Sequence, residues 1–416
     1  MSVDGTVTGE YITEEAVSGS TVVLTIDSNV QKIAETALKN NMEKIRNGGF
    51  SESYDVKSGA VVVMNVHSGE ILALASYPDY EPQEFVGGIS TAKWNEYNEP
   101  GRKTFLNRAT QESYAPGSIF KMVSAIAALE TEVTNTRETI YDTGIYPKAH
   151  KPKCWVYTDY GRGHGALNIE GAIKNSCNYF FYEMGIRMGI ENLEKYARYF
   201  GLGSRTGVEL LGETSGMLAS KEYRDQKGEG EGYVLNAVIG QSDNSFSPIQ
   251  MAKYISILSN GCHQVRPTLI KTIINPDGTE VSKEEIRKFT DEKLGITEEV
   301  PEDINVSQEN LSAVLEGMRS VTTETGGTAY STFRDFNIEV GGKTGSAEAG
   351  NNVNAWFAGF APFDNPEIAV VVMVENGGHG SYTAEVVRDI MAEYFGMNAG
   401  SVYENMTAIP YVEMQN

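Results

Sequence analysis

The chain has 416 residues, which is long enough to bury a large core in one big domain or two. Its 34 basic and 56 acidic side chains give a formal net charge of −22, which argues against nucleic acid or an anionic membrane surface as the main partner. No apolar run of roughly 18 residues is present and the polar N-terminus has no signal-peptide core, so we expect any membrane anchor to lie outside this chain.

The first third of the chain contains strand signals, one long helix and an aromatic loop. Residues 1–20 are polar and are predicted to be a linker or the remnant of a preceding module. Asp27 is suited to cap a helix that runs from residue 30 to about residue 46, and residues 77–107 are aromatic and predicted to be a loop. Three apolar runs predict strands, of which the last two form a hairpin: 21–26, 60–66 and 70–75.

The rest of the chain adds helices and a second group of strands. Residues 132–166, 202–232 and 265–306 are predicted to be mainly loops or peripheral, and 398–416 a C-terminal tail. Because helices and antiparallel strands are segregated along the chain, the sequence predicts an α+β fold, a sheet with a helical subdomain, over residues 21–397. The predicted helices are 169–188, 190–200, 248–258, 306–321 and 382–396, and the predicted strands are 338–344, 355–360 and 368–374.

A Ser-x-x-Lys motif lies at the start of a strongly apolar helix pattern. Pro116 and Gly117 predict a turn, and residues 122–129 predict a buried helix. Ser118 and Lys121 are therefore expected on one face of its first turn. A serine hydroxyl is a poor nucleophile until a base takes its proton, and a desolvated, neutral lysine can act as that base. The helix N-terminus would also favour the oxyanion that forms beside Ser118.

The same motif occurs a second time, from Ser90 to Lys93. There it continues into a polar stretch in which nothing would bury the lysine, so we do not expect Ser90 to be catalytic. Ser118 is the candidate nucleophile and Lys121 the candidate base; an ordinary helix start is the plain alternative.

A Ser-x-Asn motif follows 58 positions after the candidate nucleophile, at Ser176 and Asn178. A second hydroxyl can relay a proton to a leaving group, and an asparagine amide can hold a substrate backbone. A rival Ser-x-Asn at Ser242 and Asn244 lies in a loop that leads into a helix. We prefer Ser176 because its spacing and apolar flanks suit a buried relay.

The last motif is Lys343-Thr344-Gly345-Ser346, which follows a predicted strand. Lys343 would bind an anionic group, and its positive charge would lower the pKa of nearby amines and so favour their neutral form. Gly345 allows a substrate backbone to approach closely, and an edge strand at this point could pair with a peptide. The backbone N–H groups of Ser118 and Ser346 are the expected oxyanion-hole donors.

These three motifs, in this order, form a known catalytic signature set. With them the chain resembles the penicillin-binding proteins, specifically the transpeptidase domain of the monofunctional class B members. The resemblance implies an α+β fold with a five-stranded antiparallel sheet flanked by helices and a mainly helical subdomain. It covers the chain from about residue 22 to 395 and is supported by four further stretches: 106–109, 163–165, 326–329 and 355–362.

The resemblance implies a D,D-transpeptidase that cross-links peptidoglycan. Ser118, helped by Lys121, would attack the D-Ala-D-Ala bond of a donor stem peptide. Ser176 and Lys343 would help to protonate the departing D-Ala, and an amine of an acceptor stem peptide would release the acyl-enzyme. The substrate carboxylate, which β-lactams mimic, would be held by Lys343, Thr344 and Ser346. Many relatives carry Thr where this chain has Ser346, a change that keeps the hydroxyl.

Three potential metal ligands, Cys154, His164 and Cys177, lie in the same part of the chain, with Asp142 as a possible fourth. Their spacings match no zinc finger or ribbon, and buried thiols with a core histidine are the plain alternative. His150 is a rival ligand. In the elongation-type branch of the class B family, these four places carry an Asp, an Asp or Cys just before a Trp, the His of Gly-His-Gly, and a Cys within Ser-x-Asn or Ser-x-Asp, and some of these relatives bind zinc. The resemblance thus implies a structural zinc that fixes the loop of Ser176, while catalysis needs no cofactor.

Several alternatives share part of this chemistry. A serine β-lactamase needs a means of activating the deacylating water, for which no motif is evident, and a β-lactam sensor domain is usually shorter. A bifunctional enzyme would need a glycosyltransferase module, for which the chain has no room. A catalytically idle scaffold of the wall-synthesis complex is the alternative from another class.

The expected partners are stem peptides, β-lactams and membrane proteins of wall synthesis such as a glycosyltransferase. The expected location is the extracytoplasmic face of the cell membrane.

Overall fold

The computed structural model describes Asp4 and residues 18–297, 303 and 305–397. The predicted C-terminal tail at 398–416 and most of the predicted linker at 1–20 lie outside the described residues. None of the helices in the described ranges has the length and apolar character that a bilayer-spanning segment requires.

A five-stranded antiparallel sheet forms the centre of the fold, in the order β3-β2-β9-β8-β7. Two small antiparallel sheets, β1-β6 and β4-β5, lie outside it. The strands are β1 Thr21–Leu24, β2 Gly59–Asn65, β3 Ile71–Tyr77, β4 Ile140–Asp142, β5 Gly165–Leu167, β6 Ile270–Ile274, β7 Gly341–Ala349, β8 Asn352–Ala361 and β9 Ile368–Val374.

The helices of the described ranges cover both faces of the sheet or belong to a separate subdomain. They are α1 Ser28–Arg46, α2 Thr91–Tyr97, α3 Lys121–Glu130, α4 Trp155–Tyr160, α5 Ile169–Lys174, α6 Asn178–Tyr199, α7 Lys221–Lys227, α8 Glu231–Ala237, α9 Pro248–Ser259, α10 Lys283–Leu294, α11 Gln308–Thr323, α12 Tyr330–Phe333 and α13 Ala384–Tyr394. Single 3₁₀ turns occur at Pro82–Phe85, Gly117–Phe120 and Gly380–Thr383.

The sheet is covered on both faces. Every residue of β9 and nearly every residue of β2 is buried, so both strands read as continuous apolar runs rather than alternating ones. Helices α1 and α13 pack together on the sheet, and α9 packs across β2, β8 and β9. In the helical subdomain, α3 packs against α6 and α11. The predicted α+β class and the five-stranded antiparallel sheet are therefore confirmed.

The largest error of the sequence prediction concerns the helix expected over 169–188. The chain instead ends α5 at Lys174, turns through 175–177, and starts α6 at Asn178, because Ser176 adopts a left-handed φ of +51°. Apolar periodicity continues through this turn, which is why the pattern concealed it.

Smaller differences have similar causes. The predicted loop at 77–107 contains the helix α2 and a 3₁₀ turn, and the loop-rich segment 132–166 contains β4, α4 and β5. The polar stretch 202–232 contains α7 and the start of α8, and the peripheral segment 265–306 contains β6 and α10. The strand predicted at 338–344 begins at Gly341 and continues to Ala349.

Candidate active site

Ser118 lies in the 3₁₀ turn Gly117–Phe120, directly before α3. The backbone N–H of Lys121 donates to the carbonyl of Ser118, so the two residues of the Ser-x-x-Lys motif share this turn. Gly117 has a left-handed φ of +54° and its N–H donates to Gly240 O over 2.9 Å. The α-helix α3 agrees with the helix predicted over 122–129, but Ser118 lies in the 3₁₀ turn before it and not in its first α-helical turn. Ser118 is half-buried there.

Lys121 joins this turn to the Ser-x-Asn motif. Its side chain is fully buried, and its Nζ donates to Ser176 O over 2.9 Å and to Asn178 Oδ1 over 2.6 Å. Ser176 Oγ lies 3.3 Å from the same nitrogen. The left-handed turn at Ser176 is what presents all three oxygens to one amine. The break between α5 and α6 therefore serves the site.

The two lysines of the site are both buried without a carboxylate partner among their hydrogen bonds. Burial lowers the pKa of Lys121 to about 8. Burial, reinforced by repulsion from Lys121, holds the pKa of Lys343 well below its usual range. Lys343 Nζ donates to Thr344 O over 2.9 Å. The site therefore disfavours two simultaneous ammonium charges and supplies a neutral amine near neutral pH.

Strand β7 carries the third motif and is an edge of the central sheet. Thr344 Oγ1 lies 2.7 Å from Thr328 Oγ1, and Ser346 Oγ accepts from Gly380 N over 3.0 Å. Because Ser346 Oγ accepts from the backbone, its own hydroxyl hydrogen remains able to donate to an anion. Ser346 is exposed, whereas Lys343 is fully buried and Thr344 nearly so.

The strand and the serine turn touch through backbone atoms. A Cβ at Gly345 would lie 2.9 Å from Pro116 O, and a Cβ at Gly117 would lie 2.9 Å from Ser346 O. Only glycine fits such an approach. Trp356 Nε1 donates to Ala115 O over 3.0 Å and fastens the turn to the neighbouring strand β8.

Several supporting residues were given no role by sequence reasoning. Gly380 and Thr328 contact the two hydroxyls of the third motif, and Gly240 supports the nucleophile turn. Buried Arg108 donates to Glu375 Oε1 over 3.0 Å, and Tyr114 OH donates to the same oxygen over 2.9 Å. Thr328 could have been found from the Gly-Gly-Thr-Ala stretch at 326–329. The other contacts join residues far apart in the chain, and no local sequence pattern predicts them.

The rival motifs have ordinary structural roles. Ser90 Oγ accepts from Lys93 N as the N-cap of α2, and Lys93 pairs with Glu96 over 3.0 Å. Asn244 is buried and its amide bonds the backbones of Ala219 and Ala237.

Asp142, Cys154, His164 and Cys177 converge behind the Ser-x-Asn turn. One ligand atom from each lies within 4.8 Å of all the others, and the four residues are nearly or fully buried. Cys177 is the N-cap of α6 and stands between Ser176 and Asn178. His150 is exposed and lies outside this cluster, so it is not a fourth ligand here.

The distances within the cluster can be compared with those of a tetrahedral zinc site. Two thiolates on one zinc lie about 3.8 Å apart and a thiolate and an imidazole about 3.6 Å apart. The two Sγ atoms here are 3.9 Å apart, and Cys154 Sγ is 3.6 Å from His164 Nδ1. Asp142 Oδ2 and His164 Nδ1 are closer, at 2.7 Å. The hydrogen bond between the two thiols lowers the pKa of Cys154 toward the thiolate that a metal requires, while burial and the same hydrogen bond raise the pKa of Cys177. The donor set fits zinc.

Comparison with known proteins gives a family match and several relatives. The family model for the penicillin binding protein transpeptidase domain matches residues 59–392. Peptidoglycan D,D-transpeptidase MrdA of Escherichia coli strain K12 is 30% identical over 395 residues, which cover 90% of this chain and 57% of that protein. Stage V sporulation protein D of Bacillus subtilis strain 168 is 32% identical over 389 residues, which cover 90% of this chain and 53% of that protein.

A solved structure shows the same fold. The penicillin-binding protein PBP2 of Helicobacter pylori, in its complex with MreC, is 27% identical with a TM-score of 0.73, covering 91% of this chain and 64% of that chain. The present chain spans a little over half the length of the two curated relatives.

Proposed function

Since the chain belongs to the penicillin-binding protein transpeptidase family, we propose that it is a serine-type peptidoglycan D,D-transpeptidase. One observation carries the proposal. Lys121 Nζ, one helical turn from Ser118, contacts Ser176 O, Ser176 Oγ and Asn178 Oδ1, so residues more than 50 positions apart meet at one buried amine. This arrangement does not stabilise the fold, because burying a lysine without a carboxylate partner lowers the free energy of unfolding.

Acylation begins at Ser118. Neutral Lys121 takes the proton of Ser118 Oγ as the oxygen attacks the carbonyl carbon between the two D-Ala residues of a donor stem peptide. The developing oxyanion is stabilised by the backbone N–H groups of Ser118 and Ser346. The contact between Gly117 and the Ser346 carbonyl supports this pair of donors, because it places the turn and the strand side by side.

Collapse of the tetrahedral intermediate breaks the amide C–N bond and leaves an ester on Ser118. The departing D-Ala nitrogen receives a proton from Ser176 Oγ, which is replenished by the protonated Lys121 3.3 Å away. Lys343 keeps that proton mobile because two buried ammonium groups repel one another. An acceptor amine then attacks the ester and loses its proton along the reverse route, which restores Ser118.

The substrate is held along β7. Thr344 and the exposed Ser346 donate to the terminal carboxylate, and the open edge of β7 pairs with the stem backbone. The negative charge of the bound carboxylate would favour the ammonium form of Lys343 behind them, against the burial that lowers its pKa in the free site. A β-lactam presents a carboxylate and a strained amide in the same relation, and it acylates Ser118 in the same way.

The test is the intact mass of the protein during exposure to a penicillin, with peptide mapping of the adduct. We expect a stable adduct on Ser118, none in Ser118→Ala, and an unchanged adduct in Ser90→Ala. An adduct that forms and rapidly disappears would identify a β-lactam hydrolase. An adduct on Ser90 would overturn the site, and the absence of any adduct would favour an idle scaffold.

We also propose that Asp142, Cys154, His164 and Cys177 hold a structural zinc ion. Four protein ligands would close its coordination shell, so zinc would act here by tying α6 and the loop of Ser176 to β4. Metal analysis of protein purified without chelators should give about one zinc per chain. A content well below one would contradict the site, and the double variant Cys154→Ala/Cys177→Ala should lose the metal.

The wider assignments are proposals as well. We take residues 21–397 as the transpeptidase domain, supported by the family match over 59–392 and by the packing of α1 on the sheet. The cysteine and histidine pattern favours the elongation-type branch. The enzyme would act at the extracytoplasmic face of the cell membrane with wall-synthesis partners such as a glycosyltransferase. Support for such partners comes from the H. pylori relative solved together with MreC.

A further inference from the structure

A partly exposed group of aromatic side chains lies between β3 and the nucleophile turn, in the segment that the sequence predicted to be a loop. It consists of Tyr80, Phe85, Trp94, Tyr97 and Phe105, and we call it the aromatic platform. Phe105 is its centre, with ring centroids of the other four residues 5.3–6.2 Å away. Three of these large rings are 43–46% exposed: Tyr80, Trp94 and Phe105. Clustered exposed rings of this size mark a binding surface more often than an ordinary surface.

Hydrogen bonds from two sides hold the platform segment in its conformation. Tyr97 OH donates to Glu84 Oε2 over 2.6 Å and accepts from Glu81 N over 3.0 Å. Buried Arg108 donates to the carbonyls of residues 102 and 103, which precede Phe105. A surface that is already ordered loses less conformational entropy when a ligand binds. These hydrogen bonds therefore suit the platform to binding.

The rim of the platform is polar and balanced in charge. Lys93 pairs with Glu84 and Glu96, and Arg102 pairs with Glu96. Because these charges are paired with one another, the rim offers hydrogen-bond donors and acceptors without a strong field of either sign. That suits an uncharged polar ligand better than a nucleic acid, an acidic polymer or a strongly charged peptide.

The position of the platform relates it to the catalytic strand. Tyr77, Gly59, Val374, Ala355 and Ser346 are paired in one row across the sheet. Four strand spacings separate Tyr77 from Ser346, or roughly 19 Å. Strands β3 and β7 run in the same direction. The chain therefore leaves β3 at Tyr77, toward the platform, at the same end of the sheet as the part of β7 that follows Ser346. A stem peptide of four or five extended residues spans roughly 13–18 Å, slightly less than this row. The stem peptide itself therefore stops short of the platform side, and the sugar joined to its far end would lie nearest to the platform.

We propose that the aromatic platform binds the sugar chain that carries a stem peptide, that is, a β-linked polymer of N-acetylated pyranoses. The C–H face of a pyranose stacks on the negative face of an aromatic ring, and its hydroxyl and acetamido groups reach a polar rim. This inference rests on the proposed function, which supplies a glycan-borne peptide as substrate. Trp94 is the most exposed of the platform rings and its principal stacking residue.

The test uses the uncharged β-1,4-linked hexamer of N-acetylglucosamine, titrated into the intact chain and followed by calorimetry. Trp94→Ala should weaken binding by about tenfold, the upper end of what one stacked ring contributes. Phe289→Ala is the matched control, because Phe289 is 60% exposed on the remote helix α10 and should leave the affinity unchanged. Hydrogen exchange of the unmodified chain should slow at residues 79–106 when the hexamer is added.

Failure of the platform and failure of the proposed function give different results. Penicillin acylation of Ser118 is measured on the same samples and should be equal in the unmodified chain, Trp94→Ala and Phe289→Ala, which also shows that the variants fold. If acylation is normal but the hexamer does not bind, or if Trp94→Ala binds it as tightly as the unmodified chain, the glycan-binding proposal alone is overturned. The exposed rings would then be assigned to a contact with another protein. Hexamer binding that depends on Trp94 in a chain that is never acylated sustains the platform and overturns the transpeptidase.

Discussion

The chain contains the same four-residue motif twice, and the two copies show what the motif lacks by itself. Ser90 and Lys93 lie on the surface, where the serine caps α2 and the lysine pairs with Glu84 and Glu96. Ser118 and Lys121 lie on a turn packed against β7, where the lysine is fully buried and meets Ser176 and Asn178. Both serines begin a helix, and both lysines follow three residues later.

The difference lies in what surrounds each amine. Hydrogen bonds with Glu96 and Glu84 raise the pKa of Lys93, which keeps it an ammonium ion and useless as a base. Burial lowers the pKa of Lys121 to about 8, and its contacts are neutral oxygens that accept from an amine without fixing its charge. In the proposed mechanism, the second and third motifs, which are distant in sequence, give Lys121 the surroundings that a general base needs.

The strongest test of this difference replaces each lysine in turn. Lys121→Ala should slow acylation by a penicillin by about 10²–10⁴-fold, the usual contribution of a general base. Lys93→Ala should leave the rate unchanged, because that amine pairs with Glu84 and Glu96 at the surface and not with residues of the candidate site. Stopped-flow acylation with a fluorescent penicillin gives both rates, and circular dichroism shows whether each variant is folded.

A normal acylation rate in folded Lys121→Ala would mean that another group takes the Ser118 proton. Lys343 is a second buried amine in electrostatic contact with Lys121, so Lys343→Ala would then be the next variant to measure.

The pH dependence of acylation tests the charge of the same amine. The base is active only when neutral, and a lowered pKa of about 8 means that its neutral fraction rises as the pH rises through 8. Between pH 6 and pH 8 the acylation rate should increase about 50-fold, following that fraction. A base with the raised pKa of Lys93 would give a rate that still climbs steeply above pH 9. A flat profile from pH 6 to 9 would contradict a lysine base altogether.

The two copies also show how far sequence reasoning could go. The strands of the central sheet and the long helices α1, α9 and α11 were predictable, because each has a sustained apolar pattern or a clear cap. The candidate residues were chosen by matching order and context, and the structure places them together. The left-handed turn at Ser176 was not predictable, because no glycine or proline marks it and the apolar periodicity runs through it.

Contacts between residues far apart in the chain were equally unpredictable from the sequence. Gly240 looked like one of many loop glycines, yet its carbonyl accepts from Gly117 across more than 100 residues. The aromatic residues of 77–107 were visible as a composition, but their assembly around Phe105 depends on Arg108 and Glu375, which come from different parts of the chain. Such contacts are fixed by the packing of the whole domain.

A pair of glycine variants measures how much the support behind Ser118 matters. Gly240 has a φ of +77°, and a Cβ there would lie 2.2 Å from Gly117 O. Gly240→Ala should lower the free energy of unfolding by about 2–4 kcal/mol through strain and overcrowding. Displacing the turn should also slow acylation on the order of tenfold, since catalysis is sensitive to small misplacements.

Gly228→Ala is the matched control for this variant. Gly228 has a similar φ of +65° but open space around it. It should cost only about 1–2 kcal/mol from the left-handed backbone and should not change acylation. Urea unfolding and stopped-flow acylation distinguish the two. Equal acylation rates in both variants would show that Gly240 supports the fold but not the nucleophile.

The smallest effect is expected at the surface copy of the motif. Ser90→Ala removes the side chain that caps the N–H of Lys93 at the start of α2. The free energy of unfolding should fall by about 1 kcal/mol, the usual cost of a lost cap. Ser90→Asp restores an acceptor and should recover that stability, while acylation stays at the unmodified rate in both variants. If Ser90→Ala slowed acylation instead, α2 and its surroundings would have to move during the reaction, and the contrast between a structural and a catalytic Ser-x-x-Lys would no longer hold.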